Sequence, residues 1–585
     1  MKMVITTRYE KMVDKDQFLR DTLIRFTFTL IVIFGHFFSV AQQVLVTTLG
    51  EFDAAVEDAK AGDTIMLRNG EWVNVVLNFY AIGEPENPIV LKAQTPGEVI
   101  LTGSSRLKIY GEHLVVQDLD FKNGNTSGDG VVEFRKSSSE LAQNCRLTNS
   151  RILNYNPATD DINYKWVSIY GSNNRVDHCH FEGKNHEGAL LVVWLTGQAN
   201  HHQIDHNYFA NIPDLGRNGG ETIRIGTSAN SMSESRTIVE NNLFEACDGE
   251  IEIISNKSGF NIYRYNTFRN SDGTLTLRHG NDCEVYGNYF FGGDGKSSGG
   301  VRIIGERHKV YNNYFQDLNG GGFRAAISMV NGVPDSPLNR YFQVKNAEVV
   351  NNTIVSCKEP FAIGEGNDSE RTLPPLDCII ANNIAISTTG SSAVTYTDTP
   401  LNMAYQSNYM TGNIGISDVG IVNDDPGLEL TDGLWRASSS SAVTDAESLA
   451  VGYVQFDIDG QERDGSPDIG CDEVATSDIT NTPLAKEDVG FDWSNSGNPP
   501  LAVDGADDKI KITLINHIME IRGLEQKDLP AQLIIHDLQG RKLVSEDVAK
   551  TEFSMLMDFD GICIISFVNQ QGEIHKAKIR IPNNR

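Results

Sequence analysis

Two acidic residues, Glu250 and Glu252, are separated by one residue in a segment of alternating apolar and polar character. If that segment is a β-strand, both carboxylates project from the same face. Neighbouring carboxylates repel each other, so the pair needs a cation, a proton or nearby basic side chains. A hard cation such as calcium prefers several oxygen ligands, and Asn218 offers an amide oxygen upstream. On spacing alone, a surface pair neutralised by Arg224 and Arg302 explains the glutamates equally well.

Basic residues gather in the same stretch of the chain. Lys257 follows the two glutamates and Arg278 comes about one repeat later. The other basic residues counted in this cluster are Arg264, Arg269, Arg302, Arg307 and Lys309. The chain of 585 residues has a net charge of −29, which argues against nucleic acid as a partner and against long-range attraction of an acidic ligand. A protein this acidic needs a local basic patch to bind a polyanion, and this cluster supplies one.

These residues lie in an internal repeat. Four alternating phrases recur roughly every two dozen residues, at Thr222–Ile225, Glu250–Ile253, Thr274–Leu277 and Gly300–Ile303. A second phrase, Asn followed by an aromatic pair, runs in step with them. Propeller blades need about 40 residues or more, and a β-sandwich does not explain the near-constant spacing. We therefore predict an all-β fold, a right-handed parallel β-helix in which each coil gives one strand to each of several parallel sheets.

Aligning the four phrases as stacked rungs assigns each residue to a face. The residues predicted to point inward are Ile223, Ile251, Leu275 and Val301. The residues predicted to form one outward file are Arg224, Glu252, Thr276 and Arg302. The neighbouring outward file contains Thr222, Glu250 and Thr274.

The remaining segments predict an exported protein with several parts. Residues 1–41 are expected to be a cleaved signal peptide, because basic residues precede a short apolar run that ends in Ser39-Val40-Ala41. A membrane anchor is the alternative, but the run is short for a membrane span. We assign 42–475 to the β-helix, with an amphipathic helix at 52–61 as its cap, and 476–508 to a linker. The location is then periplasmic, cell-surface or secreted.

Residues 509–585 form a separate alternating pattern, which predicts a small C-terminal β-sandwich-like domain. It resembles the C-terminal sorting or accessory modules of exported Bacteroidetes proteins, and a passive stabilising module is the alternative. The eight Cys have no zinc-like spacing, and most lie in apolar segments, so buried free thiols are expected.

The order of the chemical motifs resembles polysaccharide lyase family six, which contains alginate lyases and chondroitinase B. The motifs are Asn218-Gly219-Gly220-Glu221-Thr222-Ile223-Arg224, Asp248-Gly249-Glu250-Ile251-Glu252 with Lys257, and Leu277-Arg278-His279-Gly280. The resemblance covers about residues 43–480. It implies a calcium ion held by Asn218, Glu250 and Glu252, with Lys257 as general base and Arg278 as general acid. It also implies that His279 and Arg302 bind substrate, and we add Arg224 from the same file.

That resemblance implies β-elimination on an acidic, uronate-containing polysaccharide. Lys257 must be neutral to accept the C5 proton, and Arg278 would protonate or polarise the leaving O4. Alginate is the expected substrate, and dermatan sulfate, which would need extra cationic contacts, is the alternative. The loop Asn319–Asn346 is expected to shape the substrate subsites.

Two other classes of protein explain part of the pattern. A β-helix glycoside hydrolase would use a carboxylate pair, but residues i and i+2 of one strand project in parallel and do not straddle a bond. A non-catalytic glycan-binding β-helix explains the repeat but not the placement of Lys257 and Arg278.

Overall fold

The computed structural model describes residues 41–493, apart from 129, 294 and 389, and seven strands between 511 and 581. The chain forms two compact units with their boundary between Trp493 and Ser494. The predicted signal peptide, except for its last residue, lies outside the described part. Within that part, no helix is long and apolar enough to span a membrane.

The first unit is a parallel β-helix with three long sheets, which we call sheets I, II and III. Each coil contributes one short strand to each sheet, and neighbouring coils pair in parallel. Sheet I comprises Gln43–Val46, Thr64–Leu67, Ile89–Ala93, Leu114–Gln117, Arg146–Thr148, Arg175–Asp177, Gln203–Asp205, Ile238–Glu240, Ile262–Arg264, Glu284–Tyr286, Lys309–Tyr311, Glu348–Val350, Ile379–Ala381 and Ala404–Gln406.

Sheet II carries the candidate site, and sheet III closes the coil. Sheet II comprises Val76–Ile82, Arg106–Glu112, Val132–Glu133, Ala142–Gln143, Val167–Ile169, Leu191–Val193, Ile223–Ile225, Glu252–Lys257, Thr274–His279, Val301–Ile303, Ile327–Val330, Phe361–Glu365 and Val394–Tyr396. Sheet III comprises Gly70–Val73, Val99–Gly103, Leu119–Gly124, Arg151–Leu153, His180–Glu182, Tyr208–Ile212, Leu243–Cys247, Thr267–Arg269, Tyr289–Phe291, Tyr314–Gln316, Thr353–Cys357, Ile384–Ser387, Asn408–Thr411 and Ile421–Val422.

The repeated Asn-aromatic phrase builds the interior. Phe209, Phe244 and Phe268 stack on successive coils, with ring centroids 5.0 and 4.6 Å apart. The Asn before each aromatic pair is buried, and its side-chain amide donates to the next Asn of a ladder, as from Asn242 Nδ2 to Asn266 Oδ1 at 3.0 Å. This ladder satisfies buried polar groups at the bend between sheets I and III, which explains why the sequence repeats Asn there.

An α-helix, Leu49–Asp58, closes the N-terminal end of the solenoid. Thr48 is its N-cap and accepts a hydrogen bond from the Glu51 amide at 3.2 Å. Phe52 is fully buried in the solenoid core, so the predicted capping role is confirmed and the helix begins three residues earlier than expected. Short 3-10 helices lie at Ser228–Asn230, Gly322–Arg324 and Lys486–Asp488.

The coils end earlier than predicted. The last solenoid strand is Ile421–Val422, and an antiparallel hairpin of Glu429–Thr431 and Leu434–Arg436 follows. The chain then packs against the outside of the coils, where Ile458 and Cys471 contact Tyr289 and Tyr314.

Part of the predicted linker also belongs to this unit. The Gly490 amide donates to the His206 carbonyl at 2.8 Å, and Phe491 stacks on His180 at 5.4 Å. The predicted domain boundary at 475 therefore lies inside the packed unit. The segment after 475 was predicted to be a linker because its composition is polar, but a few aromatic residues near Trp493 anchor it to the coils.

The second unit is described only as strands. One antiparallel sheet comprises Lys511–Ile515, Ile518–Arg522 and Glu552–Leu556; the other comprises Ala531–Asp537, Lys542–Val548, Gly561–Val568 and Ile574–Ile581. Two antiparallel sheets agree with the predicted β-sandwich-like domain. In the first unit, seven Cys are buried free thiols, as expected, and the side chain of Cys563 lies outside the described residues.

Candidate active site

Two neighbouring strands of sheet II carry the predicted catalytic residues. Glu252–Lys257 and Thr274–His279 have six residues each, whereas the strands on either side of them, Ile223–Ile225 and Val301–Ile303, have three. Their pairing contains two register shifts, and Lys257 lies opposite His279. Arg278 is the extra residue at the second shift. Such bulges re-aim side chains beside active sites, and this one brings Arg278 next to Lys257 on the outer face.

The amino group of Lys257 lies beside a buried carboxylate. Its Nζ is 3.8 Å from Glu221 Oε1, and Arg224 Nη1 is 3.9 Å from the same oxygen. The Glu221 side chain is 5% exposed, and its Oε2 has no hydrogen-bond partner among the described residues. Glu221 therefore serves as a shared anion beneath the two cations. The side chain of Lys257 is 19% exposed, so it is partly open to solvent in the groove along the outer face of sheet II.

Arg278 is held from both sides. Its guanidinium carbon lies 4.0 Å from the centroid of the Tyr341 ring, and its Nη1 donates to the Arg340 carbonyl at 3.1 Å. Its Nε is 3.8 Å from Glu252 Oε1. Burial lowers the pKa of Arg278 from its usual value. The loop Asn319–Asn346 thus contributes to the site, as expected.

The predicted register of the glutamates is wrong. Ser255, not Glu252, stands between Arg224 and Thr276 in the outward file, and Ile254 takes the inward place assigned to Ile251. The reason is that successive coils differ in length: the paired positions Arg224 and Ser255 are 31 residues apart, whereas Ser255 and Thr276 are 21 apart, so the alignment of the phrases is three residues out of register. A register shift between Glu252 and Ile254 adds one further residue to the strand.

Glu252 consequently pairs with Thr274 rather than lying in the file of Arg302. Its carboxylate still reaches that file, because it accepts hydrogen bonds from Arg302 Nη2 and Ser255 Oγ. Glu252 therefore holds two arginines, Arg302 directly and Arg278 at longer range.

Glu250 precedes the strand instead of lying on it. It lines a cavity of about 390 Å³ together with Asn218, Asp214, Asp248 and Asp272. The Gly219 amide donates to Glu250 Oε2 at 3.1 Å. Burial, followed by the charges of Glu221 and Glu252, raises the pKa of Glu250 to about 8.

These observations test whether the predicted ligands suit a calcium ion. The negative charges of Glu221 and Glu252 disfavour ionisation of Glu250, and a bound divalent cation would offset this repulsion. Asn218 is exposed beside Glu250, and Glu221 has a spare buried oxygen. All of these donors are oxygens, as calcium prefers. Among the described residues, no three His, Cys, Asp or Glu side chains form a ready-made metal cluster. The donor set therefore fits a site completed by ligand oxygens.

The three predicted substrate-binding residues line the same face. His279 is 1% exposed, and burial lowers its pKa to about 3, so the ring is neutral. Arg302 is 4% exposed and Arg224 lies 5.4 Å from the Trp194 ring centroid. In the part of the chain that the structure describes, His279 Nδ1, the Nε atoms of both arginines and the indole Nε1 of Trp194 have no hydrogen-bond partner. Buried donors without protein partners mark a place where a polar ligand would satisfy them.

The predicted basic cluster is only partly formed. Arg264 lies on sheet I and pairs with Glu240 at 2.6 Å, and Lys309 on the same sheet lies over Tyr453. Arg307 pairs with Asp282 at a bend, and Arg269 lies on sheet III. Each coil turns through three sheets, so basic residues that are close in sequence face different directions.

Glu221 and Tyr341 are two residues of the site whose roles the sequence motifs did not predict. For Glu221 a signal existed, because an acidic residue precedes the strand in two successive copies of the repeat. Tyr341 comes from an inserted loop whose fold the repeat does not encode.

This chain is similar to proteins of known family and known structure. A family model described as Chondroitinase B matches residues 46–440. No curated protein matches the chain significantly. Among solved structures, the PL6 family alginate lyase AlyGC is 38% identical with a TM-score of 0.70, and the match covers 78% of this chain and 59% of AlyGC. The chain thus spans about three fifths of that relative.

Two further structures are matched over most of their length. A mannuronic acid specific polysaccharide family 6 lyase from human gut microbiota is 32% identical with a TM-score of 0.56; the match covers 63% of this chain and 86% of that enzyme. A PL6 family polysaccharide lyase from Pseudopedobacter saltans is 27% identical with a TM-score of 0.60, and the match covers 77% and 99% of the two chains.

Proposed function

Because this chain belongs to the chondroitinase B family, polysaccharide lyase family six, we propose that it is a calcium-dependent lyase that cleaves alginate by β-elimination. The observation that carries the proposal is the placement of Lys257 and Arg278 on adjacent rungs, each beside a buried carboxylate. A base and an acid side by side on one rigid face suit removal of the C5 proton and departure of O4 from the same sugar linkage.

Lys257 is the proposed base. Its neutral amino group accepts the C5 proton and becomes an ammonium, and the Glu221 carboxylate 3.8 Å away stabilises the positive charge that then lies on Lys257. Arg278 is the proposed donor to O4. The ring of Tyr341 and the carbonyl of Arg340 fix its guanidinium plane, so little conformational entropy is lost when it contacts the leaving oxygen.

The proposed calcium ligands are Asn218, Glu250 and Glu252. When bound, the ion would neutralise the uronate carboxylate and make the C5 proton more acidic. Arg302 and Arg224 lie in the same outward file, where they can bind the carboxylates of neighbouring sugars. His279 stays neutral and offers a hydrogen bond to a sugar hydroxyl.

Alginate is favoured over dermatan sulfate by the charge of the groove. Lys257 and Arg224 share Glu221, and Arg302 and Arg278 share Glu252. These four cations are therefore already paired with glutamates, and none of them is left over for the extra contacts that sulfate groups would need. The relatives AlyGC and the mannuronic acid specific enzyme act on the same class of polymer by their names, which supports this choice.

A hydrolase is the second candidate, because a glutamate with a raised pKa is what a glycosidase uses as general acid. The two reactions differ in their products. β-Elimination gives a 4,5-unsaturated sugar that absorbs ultraviolet light, whereas hydrolysis gives only new saturated reducing ends.

The test is to follow absorbance and reducing ends together, with alginate and with dermatan sulfate, each with calcium and with chelator. We expect both signals to rise in parallel on alginate and to stop in chelator. Reducing ends without absorbance would establish the hydrolase, and a rise on dermatan sulfate alone would reassign the substrate. Full activity in chelator would remove calcium from the proposal.

We also propose that the protein is exported, since its polymeric substrate lies outside the cell. Support comes from the basic and apolar segment before Ala41. Fractionation of cells that produce the full chain tests this, and protein retained in the cytoplasm with an intact N-terminus would contradict it.

A further inference from the structure

Sheet II carries a row of aromatic and basic side chains that continues from the candidate site toward the first coil. Tyr80 is paired with Tyr110 in the sheet, and their rings stack at 5.0 Å. Farther along, Tyr170 and Trp194 stack at 5.7 Å with an interplanar angle of 6°. Because strands of a parallel sheet are in register, these residues lie in the outward file that leads to Lys257.

Basic side chains are interleaved with the rings. The guanidinium carbon of Arg135 lies 3.8 Å from the Tyr170 centroid, and Lys136 Nζ lies 5.5 Å from the Tyr110 centroid. At the end nearest the candidate site, Arg224 lies over Trp194. The row therefore presents an aromatic or basic side chain on each successive coil from Tyr80 to Trp194.

Several groups of the row face solvent. Tyr80 is 47% exposed, and the side chains of Arg135 and Lys136 are 33% and 50% exposed. The two cations pair with Glu133 and Glu140 at 3.5 and 3.2 Å. The Lys136–Glu140 pair is exposed on both sides and contributes little, on the order of 0–1 kcal/mol, so an incoming carboxylate can replace Glu140. Glu133 is buried and stays beside Arg135, whose guanidinium keeps further donors for a ligand.

We propose that this aromatic–basic row, made of Tyr80, Tyr110, Arg135, Lys136, Tyr170 and Trp194, binds the part of the polyuronate chain that extends beyond the cleaved linkage. The inference rests on the proposed function. The row and the candidate site lie in one file along the solenoid axis, so one linear polymer can occupy both. Cations match its carboxylates, and the tyrosine and indole donors match its hydroxyls.

The length of the row determines how long a bound polymer must be to contact all of it. Six coil steps separate Lys257 from Tyr80, and at roughly 4.8 Å each they span about 29 Å, comparable with about six linked sugars. A trisaccharide bound across the cleavage site is too short to reach Arg135 or Tyr80. Polymer should therefore be a better substrate than short oligosaccharides, and the difference should come from this row.

The test compares the double variant Tyr80→Ala/Arg135→Ala with wild type on long polyuronate and on a purified trisaccharide. We expect kcat/KM on polymer to fall about tenfold, mainly through KM, while turnover of trisaccharide is unchanged. A matched control is Arg264→Ala/Tyr286→Ala on sheet I, where Arg264 is 31% exposed and donates to the Tyr286 hydroxyl at 2.9 Å. The control should match wild type on both substrates.

A binding assay separates failure of this inference from failure of the proposed function. Affinity electrophoresis through gels containing alginate, run with Lys257→Ala, needs no turnover. We expect retardation that Tyr80→Ala/Arg135→Ala abolishes in the Lys257→Ala background. The inference would be overturned if Lys257→Ala were retarded equally with and without the Tyr80→Ala/Arg135→Ala substitutions. An equal loss of activity on polymer and on trisaccharide would also overturn it. Retardation without turnover by wild type would instead overturn the lyase.

Discussion

Replacing Glu252 with Gln tests how the site is held together. In the structure this carboxylate accepts hydrogen bonds from Arg302 and Ser255 and lies 3.8 Å from Arg278. The side chains of Glu252 and Arg302 are 11% and 5% exposed. Glu252→Gln leaves the buried guanidinium of Arg302 without its counter-ion and close to a second cation.

Removing one partner of a buried ion pair costs about 3–5 kcal/mol, because the other charge stays desolvated. A matched control is Glu240→Gln on sheet I. Glu240 is also 11% exposed and pairs with Arg264 at 2.6 Å, but Arg264 is 31% exposed and can turn to water. We expect the control to lose only about 1 kcal/mol.

The assay is chemical unfolding of wild type and both variants in the presence of chelator, followed by the same series with calcium. Glu252→Gln should lower the unfolding midpoint more than Glu240→Gln does. If Glu252 also binds calcium, saturating ion at 100 times its Kd stabilises wild type by about 2.7 kcal/mol and the variant by less. Equal destabilisation by the two variants in chelator would refute the buried-pair argument.

Four further outcomes are expected. Lys257→Ala and Arg278→Ala should each reduce turnover of polyuronate at least about a hundredfold with unchanged circular dichroism, and an active Lys257→Ala would exclude it as the base. Glu250→Gln should raise the calcium concentration for half-maximal activity about tenfold; an unchanged requirement would make Glu250 a structural residue. Tyr341→Ala should lower kcat about tenfold through a misplaced Arg278, and Tyr341→Phe should restore it, whereas a change in KM alone would contradict this role. Burial lowers the pKa of His202 to about 3, so the unfolded chain gains a proton below about 6.5 that the folded chain does not; unfolding free energy should fall by up to about 1.4 kcal/mol per pH unit from 6.5 downward, and His202→Gln should flatten that slope in pH-dependent melts.

The parts of the fold that the sequence predicts are those that repeat. Asn242 and Phe244 have counterparts in phase on the neighbouring coils, since the bend between sheets I and III is stabilised by an amide ladder and the interior is filled by stacked aromatic rings. The one-coil spacing of Lys257 and Arg278 likewise predicted that they would lie on adjacent rungs. Repetition carries this information because one residue type must satisfy the same environment many times.

The errors come from departures from the repeat. The coil from Arg224 to Ser255 has 31 residues and the coil from Ser255 to Thr276 has 21, so an alignment at near-constant spacing puts Glu252 where Ser255 lies. Arg264 and Arg307 counted as neighbours of Lys257 in sequence, yet the coil turns between them and the groove. Tyr341 enters from an inserted loop, so its contact with Arg278 depends on tertiary packing that no local pattern records.

The charge of the whole chain explains why the site needs both buried carboxylates and a long contact surface. With a net charge of −29, the protein repels a polyanion at long range and gains nothing from electrostatic steering. The groove cations are also compensated by Glu221 and Glu252, which keep them fixed rather than strongly attractive. Affinity must then come from many short-range hydrogen bonds made in register along a rigid sheet. A parallel β-helix provides this, since each coil adds one further contact point at a constant rise, and the catalytic pair can act on a chain held at several places at once.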